Sequence, residues 1–124
     1  MAEFRLDNSM RLLREQRWPT SILLVEVDSA RGGLDLEGAA SCLQQNLRSD
    51  DFVGHWSADI LICIFPNCRL SSASHIASRC LDRASLSGGV TELRLAERPA
   101  DAVDRAIQLM RKSRALGGNR VCAG

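Results

Sequence analysis

The chain has one lysine, Lys112, among its 16 basic residues, no tyrosine, and only Phe4, Phe52 and Phe65 as phenylalanines. So few aromatics argue against an RNA-binding sheet with exposed stacking rings. A formal net charge of +1 removes any dominant electrostatic pull on nucleic acid as well. Long hydrophobic runs are also missing. The longest, Ile60 to Phe65, is far too short to span a bilayer, and Met1 to Arg5 lead into no signal-like apolar stretch, so no membrane insertion and a cytoplasmic location are expected. Cys42, Cys63, Cys68, Cys80 and Cys122 lack a C-x-x-C spacing and a nearby histidine pattern, which speaks against zinc and against a disulfide framework. They read as reduced, mostly buried, small apolar residues. His55 and His75 have no Cys or Asp partner at catalytic spacing. Ser87-Gly88-Gly89 lacks the spacing and the lysine of a phosphate loop and reads instead as a strand packed closely on a neighbour.

What is present is enough apolar residue, 45% of 124, for one core and no more. Short continuous apolar runs alternate with helical stripes, the pattern of an α/β layer structure. Leu6, Met10 and Leu13 form a stripe at helical spacing that Asn8 or Ser9 would cap, within a helical leader over residues 1–19 closed by Pro19. Ser21 to Asp28 is aliphatic without alternation until its acidic end, as in a central strand buried on both faces. Leu36, Ala40, Leu43 and Leu47 give an amphipathic helix ending near Arg48. Phe52 to Trp56 and Asp59 to Phe65 read as a hairpin with a two-residue connection. Leu70, Ala73, Ile76, Ala77, Cys80 and Leu81 mark the next helix, Ser85 to Leu95 a glycine-containing strand, and Val103, Ala106, Ile107 and Met110 a final helix. A last short strand is expected over Asn119 to Cys122. Residues 1–124 form one domain in this reading.

Taken in order, these segments resemble the GGDEF family of diguanylate cyclases. Arg48-Ser49-Asp50-Asp51 matches the family's Arg-x-x-Asp, five residues before its signature hairpin, where this chain has Ser57-Ala58-Asp59-Ile60-Leu61. Glu26-Val27-Asp28 resembles the Asp-x-Asp that ends the family's first central strand. Ser87-Gly88-Gly89-Val90 and Leu116-Gly117-Gly118-Asn119-Arg120-Val121 resemble its Ser-x-Gly-Val and Gly-x-Asn-Arg-Val segments. The likeness covers about residues 20–122 and implies an α/β fold of the α+β, palm-like kind, a central mixed sheet flanked by helices.

In an active member, acids hold Mg²⁺ against the phosphates of GTP and glycines let the backbone approach. Glu26 and Asp59 match such acids. Ser57-Ala58 stands where the family has Gly-Gly, so a type I′ turn there would force positive φ on two residues with a Cβ. Ile60 stands where the family has glutamate, and it can neither bind metal nor act on a proton. The connection after Asp28, which carries the guanine-binding stretch, is about ten residues shorter than in the family. Glu26, Asp28, Ser57, Ala58, Asp59 and Ile60 therefore read as a vestigial signature, with no catalytic residue, no bound metal, no cofactor and no enzymatic activity expected. Alignment on the closing segment puts Arg114 at the family's phosphate-binding lysine.

The Arg-x-x-Asp implies something different. In the family it binds the product, cyclic di-GMP, away from catalysis, together with an arginine of the next helix. Arg48, Asp51 and Arg79 match those positions. An arginine fork suits guanine O6 and N7, and an aspartate suits the N–H groups of the opposite edge. The alternative is a helix-end arginine paired locally with Asp50 or Asp51. Two functions are thus expected of the resemblance: a cyclic di-GMP receptor using Arg48, Asp51 and Arg79, or a docking module for another signalling protein or a second copy, through the apolar face Leu6 to Leu13.

Overall fold

The apolar runs and stripes fold in the expected order. The computed structural model describes residues 2–27, 36–81, 86–118 and 120–124, with residues 2–4 as backbone only. The elements are α1 (Ala2–Gln16), β1 (Ser21–Val27), α2 (Leu36–Asn46), β2 (Phe52–Ser57), β3 (Ile60–Phe65), α3 (Leu70–Leu81), β4 (Leu86–Glu92), α4 (Pro99–Ala115) and β5 (Arg120–Ala123). The strands form one mixed sheet in the order β2-β3-β1-β4-β5, antiparallel except for the β4–β5 pair.

β1 lies at the centre because it is aliphatic on both sides. Leu23, Val25 and Val27 face one core with Ala39 and Leu43 of α2 and Ala73, Ala77, Cys80 and Leu81 of α3. Ile22 and Leu24 face the other, with Leu6, Met10 and Leu13 of α1 and Ala102, Val103, Ala106 and Met110 of α4. The period of two along one strand thus feeds two helical layers. Burial pushes the Cys63 thiol well up and the Cys80 thiol to about 11, so at neutral pH both stay protonated, inert core residues.

Two expectations about α1 change. The helix begins well before Asn8 and Ser9, since Leu6 belongs to the same buried stripe as Met10 and Leu13 and has to lie inside it. Asn8 and Ser9 are therefore interior, Asn8 accepting a hydrogen bond from Arg11 at 2.7 Å and Ser9 buried. The apolar face of the leader is spent on this chain's own core, with Leu6 and Met10 each 1% exposed, and is not a free docking face.

Backbone approach fixes α4. A Cβ built on Gly89 would lie 2.1 Å from the Ala106 carbonyl oxygen and 2.4 Å from the Met110 nitrogen, so only glycine lets the helix sit on β4. Pro99 opens α4 at a position that needs no N–H, and the Asp101 carboxylate accepts the Arg98 backbone N–H at 3.3 Å. Gly117 and Gly118, at φ 110° and 73°, close it, the Gly118 N–H donating to the Ser113 carbonyl at 3.0 Å. Arg105 then ties α4 to the sheet. It donates to Thr91 Oγ1 at 2.7 Å, to the Glu92 carbonyl at 3.0 Å and to both carboxylate oxygens of Glu97. Burial acts to raise the Glu97 carboxyl, but hydrogen bonds from Arg105 and the Arg94 backbone outweigh it and hold the group below the usual range.

Candidate functional site

The residues singled out by sequence fall at opposite ends of the sheet. One end is the hairpin tip. Cross-strand pairing aligns Ser57 with Ile60, Ile60 with Glu26, Glu26 with Ser87, and Ser87 with Arg120, one row through all five strands. The hairpin turn is Ala58-Asp59, and its Asp59 carbonyl accepts the Val27 N–H at 3.0 Å, which stitches the tip to the end of β1. Positive φ in the described non-glycine residues occurs at Arg17 and Asn67, not at Ser57, Ala58 or Asp59. The expected type I′ strain is therefore absent. The irregularity between His55 and Ser57 in the β2–β3 register takes up the twist that a type I′ turn supplies elsewhere, so residues with a Cβ fit.

Glu26 is a strand-end carboxylate with its side chain 20% exposed, and it pairs with Arg114 from the last turn of α4. This juxtaposition brings together residues 88 positions apart in sequence, which the resemblance assigns to metal and to phosphate respectively. Asp59 is exposed in the turn, and Asp28 lies outside the described residues, as does the connection 28–35. Among the described residues no group of three or more His, Cys, Asp or Glu is placed to hold a metal ion. A cation at Glu26 would have to displace the Arg114 guanidinium. Arg120 was not singled out by sequence. It stands on the same row, and the signal for it was its place in the closing segment beside the two turn glycines.

The other end is the hairpin base. α2 stops at Asn46, and Arg48 to Asp51 form a turn closed by the Asp51 N–H to the Arg48 carbonyl at 3.1 Å. The Asp51 carboxylate, its side chain wholly buried, accepts the Arg48 backbone N–H at 2.9 Å, Arg48 Nε at 3.2 Å and Arg48 Nη2 at 2.9 Å. Arg48 Nη2 also donates to the Pro66 carbonyl at 2.9 Å. The hydrogen bond to Asp51 holds the guanidinium's pKa above its ordinary value. Asp51 is thus an internal anchor whose lone pairs are taken, and Arg48, its side chain 49% exposed, presents its remaining edge to solvent. Arg79 is exposed in the last turn of α3, nine residues beyond Leu70 and so about 14 Å along the axis. Among the described residues it makes no side-chain hydrogen bond or ion pair, and none links it to Arg48 or Asp51.

No protein-family model matches the chain, and no curated protein matches it in sequence. Solved structures do match. The diguanylate cyclase SiaD of Pseudomonas aeruginosa, crystallised with its activator SiaC, superposes with a TM-score of 0.88 at 20% identity, over all of this chain and 57% of that one. The active GGEEF domain of a diguanylate cyclase from Vibrio cholerae gives 0.85 at 20% identity, over 97% of this chain and 92% of that one. The GGDEF domain of DgcB from Caulobacter crescentus, in complex with cyclic di-GMP, gives 0.85 at 18% identity, over 98% and 86%. The fold is GGDEF-like. This chain spans little more than half the length of SiaD.

The GGDEF-like fold corrects one expectation outright. The expected absence of enzymatic activity rests on residues at the hairpin tip and on a short connection after Asp28, yet the structures sharing this frame include cyclases, one of them an active domain. Substitutions at one turn leave the sheet, the helices and the row at the tip in place, so they do not justify excluding catalysis. Among the described residues no helix is long and apolar enough to cross a membrane.

Proposed function

We propose that this is a cyclic di-GMP-binding domain of bacterial signalling, and that the ligand is met by Arg48 at the hairpin base and by Arg79 in the last turn of α3, with Asp51 as the residue that positions Arg48. The observation that carries this reading is the half-exposed Arg48 fork fixed in place by a buried carboxylate and a carbonyl. A guanidinium already ordered loses little side-chain entropy on meeting a guanine edge. Arg79 lies far enough along α3 that a ligand touching both arginines must be extended, as an intercalated pair of cyclic dinucleotides is. The complex of the DgcB GGDEF domain with cyclic di-GMP, and a further GGDEF domain described in a novel interaction mode with the same dinucleotide, support the ligand class.

Calorimetric titration of the protein with cyclic di-GMP tests this. Loss of a charged hydrogen-bond donor costs on the order of 1.5–3 kcal/mol, so Arg48→Ala should weaken binding about tenfold or more. Arg48→Lys should fail similarly, because an ammonium cannot reproduce the fork. No heat at high micromolar ligand, or equal affinity in wild type and Arg48→Ala, would reject the site.

A further inference from the structure

A second cluster of arginines stands apart from Arg48 and Arg79, at the end of the sheet where β1 begins and β4 finishes. Arg17, Arg69 and Arg94 line a depression of about 410 Å³ together with the buried Leu13 and Leu93, Pro19, Leu95 and one carboxylate, Glu92. Leu95 is 44% exposed and offers an apolar contact at its edge. None of the three guanidinium groups has a hydrogen bond or ion pair among the described residues. The neighbouring carboxylates answer them only in part: Glu92 lines the same depression, and Glu97 feels the Arg94 guanidinium through its charge, without a hydrogen bond. Glu92 spends Oε1 on the Leu70 N–H at 2.8 Å, and Glu97 holds Arg105 with both oxygens while one of them also accepts the Arg94 backbone N–H.

Arg17 adds an independent observation. It closes α1 with φ at 58°, its N–H donating to the Leu13 carbonyl at 3.0 Å. That left-handed position is the one where glycine ends a helix without a Cβ penalty. The chain instead places a long cation there, at the rim of the depression.

We propose that this depression is a docking surface for an acidic peptide segment of a partner protein, which sets a hydrophobic side chain on Leu95 and its carboxylates against Arg17, Arg69 and Arg94. Charge complementarity and the mixed surface choose this occupant. A lone phosphate would leave the apolar floor in water, and an apolar peptide would leave three desolvated guanidinium groups unanswered. Arginine is among the residues enriched at interface hot spots. The surface goes beyond dinucleotide binding and does not depend on it.

The test is fluorescence anisotropy of the intact protein with a labelled short peptide of glutamate and leucine, beside its glutamine and leucine counterpart. Saturable binding of the acidic peptide alone is expected, weakened at least fivefold by Arg94→Glu and by Leu95→Ser. Arg17→Gly separates binding from folding, because it should weaken the peptide while raising the Tm. Cyclic di-GMP titration should be unchanged in Arg94→Glu, which keeps this surface distinct from the Arg48 site. Equal binding of both peptides, no binding of the acidic one, full displacement by millimolar inorganic phosphate, or unchanged affinity in Arg94→Glu and Arg17→Gly would each overturn the proposal.

Discussion

At the hairpin tip Glu26 and Arg114 form a direct, partly solvated pair, while at the hairpin base Arg48 is gripped by an Asp51 side chain that sees no water. Both are arginine–carboxylate pairs, but burial makes them different devices. A pair in water gains little, since solvent competes for both charges. A carboxylate out of water must be fully paired, and removing either partner strands the other. The tip is therefore a latch that opens at small cost, and the base is a fixed mount that leaves one edge of its arginine free.

Arg114 of the tip and Arg105, which ties α4 to the sheet, sit on one helix, so the largest expected effect comes from lifting that helix off β4. Gly89→Ala should drive α4 off β4 and cost about 3 kcal/mol or more, seen as a large fall in the denaturation midpoint with loss of Arg114 from Glu26 and of Arg105 from Thr91 and Glu92. Next comes the contrast itself. Asp51→Ala should lose about 2 kcal/mol of stability, whereas Glu26→Ala should lose roughly 0–1 kcal/mol. Equal losses by urea denaturation would erase the distinction between mount and latch.

Acid sharpens it further. Glu97 is held below its ordinary value by Arg105, so its contribution is present above the unfolded carboxylate's pKa and is lost as pH falls through the lower folded one. The stability gap between wild type and Glu97→Gln should be widest near neutrality and shrink below roughly pH 4.3, the reference glutamate value. A gap independent of pH would assign Glu97 a purely steric role. The smallest change is at the turn. Because Ala58 has no positive φ, Ala58→Gly should destabilise by up to about 1 kcal/mol by loosening the unfolded chain, and a gain in Tm would restore the strained turn.

Much was legible before any coordinates. The non-alternating run Ser21 to Val27 announced a central strand, and Leu36 to Leu47 and Leu70 to Leu81 announced helices, because local periodicity reports which faces are buried. The order of segments around Arg48, Asp59 and Leu116 to Val121 carried the fold. Ser87-Gly88-Gly89 read as a closely packed strand, and Gly89 under α4 is the reason. Arg105 was overlooked although it falls three residues after Ala102, on the buried side of α4, where a charge signals a partner.

What the sequence by itself determined is the succession of elements, the two-sided burial of β1 and the glycine beneath α4, since each follows from side-chain size and spacing along a few neighbouring residues. What only the tertiary structure decided is how the charges are used. Glu26 and Arg114 are 88 residues apart, Arg48 reaches the carbonyl of Pro66, 18 positions on, and Arg17, Arg69 and Arg94 come from three separate segments. An arginine's role depends on which carboxylate or carbonyl shares its few ångströms and on whether water does too. Those distances are set by strand register and helix seating.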